Sequence, residues 1–136
     1  VSKIRIFCIE EFKTEFYKLI SKKAYTYLEK ELINHFFNKS LKELKSGTLL
    51  NNHHKIPYIK KRLGGSGGSR VYYLMITEKE QLYLMFVHPK TGPHASSNIK
   101  GSFKSALYKK VYKDIQSNHL YQLKAENNKI VFIKNF

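Results

Sequence analysis

The sequence predicts an α+β domain built on a mostly antiparallel sheet of four to five strands. Two N-terminal helices pack on that sheet, and a C-terminal helix and short hairpin complete the chain. Three observations lead there. Segments rich in β-branched and aromatic residues, with strand-like alternation, fall at 3–9 and within 58–87. Apolar residues recur at helical spacing over 11–45 and 102–115. Clusters of Gly, Pro, Asn and Ser separate these stretches. With 136 residues and 42% apolar side chains, ten tyrosines and nine phenylalanines among them, the chain can bury one core as a single domain over 1–136.

Taken in order, the opening run through Ile9 alternates and then turns wholly apolar, as a strand covered on both faces does. Phe12, Phe16, Leu19 and Ile20 form a first helical stripe; Tyr25, Leu28, Leu32, Ile33, Phe36 and Phe37 form a second. Ser21 is the expected N-cap or break between them, and Leu41 and Leu44 either extend the second helix or make a last turn. Residues 45–55 read as a loop. A strand over 58–63 is followed by a glycine- and serine-rich connector over 64–69. Strands over 70–76 and 81–87 make a hairpin across a turn holding Glu78 and Glu80, and Pro89 ends the second of them. Ser102 is a candidate cap for a helix carrying Phe103, Leu107, Val111 and Ile115, and two short strands, 120–123 and 130–133, flank Asn127-Asn128. The predicted order is β-α-α-β-β-β-α-β-β.

Charge is the strongest functional signal. The formal net charge is +15, from 25 basic and 10 acidic side chains, and between Leu44 and Lys113 the only acids are Glu78 and Glu80. A surface of that sign gathers polyanions, which brings RNA, DNA or an acidic protein forward as partners. One cysteine, Cys8, excludes an internal disulfide and is expected to be a buried, inert thiol. No apolar run reaches membrane-spanning length and the start lacks the shape of a signal peptide, so a cytoplasmic location is expected.

The chemistry narrows by residue type. His53 and His54 are adjacent and point apart in extended chain, and His88 and His94 have no carboxylate nearby, so no metal or other cofactor is expected. The glycine run lacks the Lys-Ser/Thr ending of a nucleotide-phosphate loop, and no carboxylate pair suits glycoside hydrolysis. Lysine, arginine, histidine and tyrosine, however, can cleave RNA without a metal. The substrate's own 2′-hydroxyl attacks phosphorus while the protein supplies a base, cations for the phosphorane and an acid for the leaving 5′-oxygen.

Three runs carry a resemblance: Tyr58-Ile-Lys-Lys-Arg-Leu63, Gly67-Gly-Ser-Arg-Val-Tyr-Tyr73 and Leu82-Tyr-Leu-Met-Phe-Val-His-Pro-Lys90. Together they resemble toxins of the RelE/ParE superfamily of bacterial toxin–antitoxin systems. The likeness spans roughly residues 3–116, with its specific part at 58–92, and leaves 117–136 as a C-terminal extension. It implies a RelE-like fold, in which the antiparallel sheet is curved, and a toxin that acts as a ribosome-dependent endoribonuclease on mRNA, silenced by a cognate acidic antitoxin. The alternatives it leaves are a DNA gyrase inhibitor without nuclease activity, or a non-catalytic basic nucleic-acid-binding module.

On this reading Arg70 opens a strand after a glycine run, where its guanidinium can reach a phosphate. Arg62 shares a strand face with Tyr58 and Lys60, and Lys61 points the other way. Lys60 or Lys61 is the candidate base, and His88, where many relatives carry tyrosine, is the candidate for proton transfer. Nucleic-acid contacts are expected from Lys90, from Tyr72 stacking on a base, and from Lys104, Lys109 and Lys110, with Lys113, along the last helix.

Overall fold

In a computed structural model, which describes residues 4–64, 68–90 and 99–135, the chain is α+β with one seven-stranded, mostly antiparallel open sheet and four helices. The first strand, β1 (Arg5–Cys8), lies inside the sheet, buried along Ile6, Phe7 and Cys8. Helix α1 (Glu10–Ile20) begins with Glu10 and Glu11, whose carboxylates suit the positive N-terminal end of a helix, and turns Phe12, Phe16 and Leu19 inward. Ser21 caps the C-terminus of α1 rather than the start of a second helix, its Oγ donating to the Lys18 carbonyl at 2.8 Å. After a short turn, α2 (Leu28–Phe36) buries Leu28, Leu32 and Phe36. Leu41 and Leu44 do not extend α2 but form a last helical turn of their own. They bound a separate one-turn helix, α3 (Leu41–Leu44), started by a reciprocal capping box between Ser40 and Glu43.

The segment read as a loop contains a two-residue strand, β2 (Thr48–Leu49), too short to show a period. It pairs with β3 (Tyr58–Leu63), which pairs with β4 (Ser69–Ile76), which forms the expected hairpin with β5 (Gln81–Pro89). Glu78 and Glu80 lie in the connecting turn, Glu80 with a positive φ of 51°. A bulge between Tyr72 and Tyr73 shifts the register in mid-hairpin. Helix α4 (Gly101–Ser117) starts one residue before Ser102, which therefore does not cap it. The chain closes with β6 (Tyr121–Glu126) and β7 (Lys129–Lys134), joined by Asn127 and Asn128. Both have positive φ, as a two-residue hairpin turn requires.

The strand order is β2-β3-β4-β5-β1-β6-β7, and β1 with β5 is the single parallel pair among these strands. The expected count of four to five strands is corrected to seven. β2 is too short to show a pattern, and the terminal hairpin, open in the sequence between an added hairpin and a sheet edge, joins the sheet through the β1–β6 pair with β7 as its edge. The two early helices lie on one face, over Ile6, Cys8, Ile59, Leu63, Val71, Tyr73 and Leu84. The opposite face, with Phe7, Ile9, Tyr58, Tyr72, Leu74, Tyr83 and Met85, is covered by Leu107 and Val111 of α4. Helices on both faces explain why the central strands read as nearly continuous apolar runs. Cys8 is fully buried, and that burial pushes its thiol pKa up, which suits an inert role. Among the described residues no helix is long and apolar enough to cross a membrane.

Candidate nucleic-acid interface

Strand pairing brings the predicted cations together. Across β3, β4 and β5 the register sets Arg62 opposite Arg70 and Arg70 opposite His88, and one step along it sets Lys60 opposite Tyr72 and Tyr72 opposite Phe86. Neighbouring strands are about 4.8 Å apart, and directly opposed residues share a face, so Arg62, Arg70 and His88 form one row. Lys60 joins them on the α4 face of the sheet, since Tyr58 on the same alternation packs there. Two arginines directly opposite one another repel, and an anion between them would offset that repulsion. Arg62 is exposed; Arg70 is half-buried, with its Nη1 donating to the Ser69 carbonyl at 3.3 Å. Lys90 follows the row at the end of β5, its backbone N–H donating to the Gly68 carbonyl at 2.9 Å.

His88 sits beneath these charges and is only 4% exposed. Its Nδ1 lies 3.2 Å from the Pro89 carbonyl, which can only accept, so Nδ1 carries the proton. Nε2 is then the acceptor for the Tyr72 hydroxyl at 3.3 Å, and the two rings stack with centroids 5.7 Å apart. Burial lowers the His88 pKa below its ordinary value. The Pro89 carbonyl opposes this, and the charges of Arg70, Lys90 and Lys60 lower it further. The ring is neutral at pH 7, with its two nitrogens engaged inside the protein.

Several expectations need correction. Tyr72 shares the face of Arg70, as alternation required, but its ring is fully buried against His88 and offers no open surface on which a base could stack. Lys61 faces the two early helices. Its Nζ donates to the Glu43 carbonyl at 3.3 Å and lies 5.9 Å from the Phe36 ring centre, so the sheet separates it from the arginine row. Its pKa is lowered by burial and by Lys39, against an opposing pull from Glu43. The direction suits a base, on the wrong face for this one. Lys110 is paired within its own fold with the buried Asp114 and with Glu11 at 3.9 Å. Lys109 and Lys113 are exposed on α4 and Lys104 is half-buried. His53 Nδ1 accepts from the Ile56 N–H at 3.1 Å and shapes its loop, His54 is exposed, and His94 lies outside the described residues.

Sequence reasoning missed a cleft of about 420 Å³ between α4 and the segment joining β2 to β3, lined by Asn51, Tyr58, Lys104, Tyr108 and Lys109 among others. Its signal was present. Tyr108 lies one helical turn from Lys104, and Tyr58 lies two residues from Lys60 on one strand face. Among the described residues no three His, Cys, Asp or Glu side chains gather as a metal site would need. Compared with known protein families and with curated proteins, the chain matches no family model and no curated protein.

Proposed function

We propose that this protein is the toxin of a toxin–antitoxin pair, an endoribonuclease that needs no metal and cuts mRNA on the bacterial ribosome. The observation that carries the RNA-directed part is the row Arg62–Arg70–His88 across three adjacent strands, with Lys60 on the same face. Guanidinium groups so placed suit a phosphodiester, since each offers forked N–H donors and a charge that does not titrate. The ribosome and the antitoxin enter through the resemblance of residues 58–92 alone.

In this reading Arg70 and Arg62 hold the scissile phosphate and stabilise the phosphorane as negative charge builds on its oxygens. His88 takes the 2′-proton at Nε2, after the substrate hydroxyl displaces the Tyr72 hydroxyl from that atom. Lys60 or Lys90 then protonates the leaving 5′-oxygen. An acidic antitoxin would block the row by setting carboxylates against the same cations.

One feature favours a second reading. Both nitrogens of His88 are engaged within the fold, which is the arrangement of a structural histidine under a surface that binds nucleic acid without cutting it. Induction without antitoxin, followed by mapping of mRNA 5′ ends, separates the two. The nuclease produces new ends within coding regions, and Arg70→Ala removes them, with an expected loss of about 10²–10³ in cleavage rate. Intact transcripts with bound RNA would establish the non-catalytic module. Intact transcripts with stalled replication would point to a gyrase inhibitor. Cleavage on programmed ribosomes, kept intact by Mg²⁺, should need no added Zn²⁺ or Mn²⁺ after the purified protein has been stripped with a chelator and dialysed.

A further inference from the structure

We propose that the cleft beside α4 is a nucleobase subsite, in which Tyr108 stacks one base of a single-stranded RNA whose backbone runs along Lys60, Arg62 and Arg70. This rests on the reading of the arginine row as an RNA surface and adds where a base is held. The floor of the cleft is Tyr58, a buried ring whose hydroxyl donates to the Lys104 carbonyl at 3.1 Å. On it lies the half-buried Tyr108, stacked with ring centres 5.3 Å apart and planes inclined by 23°. Tyr112 meets Tyr108 edge-on at 5.1 Å. Asn51 locks the opposite wall: its Oδ1 accepts from the Tyr58 N–H at 3.0 Å, and its Nδ2 donates to the Ile56 carbonyl at 3.0 Å and reaches the Tyr108 hydroxyl at 3.4 Å.

Tyr58 is core, and Tyr108 packs on that core only in part, its remaining surface bordering an open cleft between Lys104 and Lys109. An aromatic face with cations at the rim is how proteins hold single-stranded nucleic acid, the ring taking the base and the ammonium groups the flanking phosphates. The cleft volume, about 420 Å³, falls within the range of small-molecule sites. Position joins it to the row: Tyr58, Lys60 and Arg62 succeed one another on one face of β3 at about 6.7 Å per step. Because the Asn51 amide is already spent on the wall, the subsite holds a base by stacking and tolerates any of the four.

The test uses the full chain and a short single-stranded RNA with 2′-O-methyl groups throughout, which can bind but lacks the attacking hydroxyl. Nuclear magnetic resonance with labelled tyrosine rings should show the Tyr108 signals shifting as the oligonucleotide binds. By fluorescence anisotropy, Tyr108→Ala should weaken binding roughly five- to hundredfold, the span that one stacked base supplies. Removing the base at a single nucleotide should cost as much, and the two losses should not add. Tyr108→Leu, which keeps bulk without an aromatic face, guards against a folding defect, checked by thermal unfolding. Wild-type affinity in folded Tyr108→Leu, or equal tolerance of base removal at every position, overturns the subsite. Arg70→Gln in the same assay keeps the two ideas apart. If it alone weakens binding, the row stands and the subsite falls; if only the Tyr108 variants do, the cleft holds a base but the backbone does not follow the row, and the proposal in this form is overturned with the row.

Discussion

Salt dependence gives the arginine row its most direct test. Four cations, Lys60, Arg62, Arg70 and Lys90, lie along or beside the row, and a single strand that engages them all releases about 0.7 counterion for each phosphate neutralised. The logarithm of the association constant should then fall with the logarithm of salt at a slope of about −2.8, which is roughly a 50-fold loss between 50 and 200 mM. Arg70→Gln removes one contact, so its slope should be about −2.1 and its loss over the same range roughly 18-fold. Lys61→Gln is the control, because Lys61 faces the early helices and binds the Glu43 carbonyl on the other side of the sheet. Its slope should match that of the unaltered protein. Anisotropy titrations of a fluorescent, 2′-O-methylated oligonucleotide at four salt concentrations would measure all three. A slope near zero, or one that Lys61→Gln flattens while Arg70→Gln does not, would refute the assignment of the face.

Three further outcomes are expected. The His88 pKa is lowered in the folded protein, so the unfolded chain binds the proton more readily; stability is complete above the ordinary histidine value of about 6.5 and falls as pH drops from there through the folded pKa. Urea titrations at successive pH values should show that acid slope, and His88→Gln should lose its share of it, with the remainder from His35, whose pKa is also lowered. Gly47→Ala should destabilise by about 1–3 kcal/mol in chemical denaturation, because φ is 129° and a Cβ would stand 2.8 Å from both Ile59 Cγ2 and the Lys60 carbonyl oxygen. Tyr73→Phe should cost about 1–3 kcal/mol by the same measurement, since the hydroxyl bonds the Leu44 carbonyl at 2.7 Å and the Ser46 carbonyl at 3.2 Å and its loss strands them.

Much of this fold is readable in local pattern. Phe12, Phe16 and Leu19 announce a helix that buries one side, and Arg62 shares a face with Tyr58 and Lys60 because side chains alternate along a strand. Pattern is silent on what lies across from what. Nothing in Leu107 and Val111 says that α4 takes the sheet face opposite α1, and nothing in the first strand says that it runs parallel to β5. Those are choices among distant partners, made by total burial rather than by period. The same limit explains the candidate site. Register sets Arg62, Arg70 and His88 in one row, but strand alternation does not give the depth of His88 and Tyr72, which depends on what packs over them.

The place of β1 between β5 and β6 has a consequence for how the protein is made. As the chain leaves the ribosome, the opening strand emerges with both of its edges unpaired. Arg5 waits for Gln81 before it has a first neighbour, and Ile6 waits for Leu123 before it has a second. Pairings this distant in sequence form slowly, and a long-exposed apolar strand is a surface to which other chains can add. A nascent chain halted before β6 would keep one edge of its most buried region open. Chaperone dependence should therefore be greatest for truncations that end between α4 and the last hairpin, and should fall sharply once Leu123 has been made.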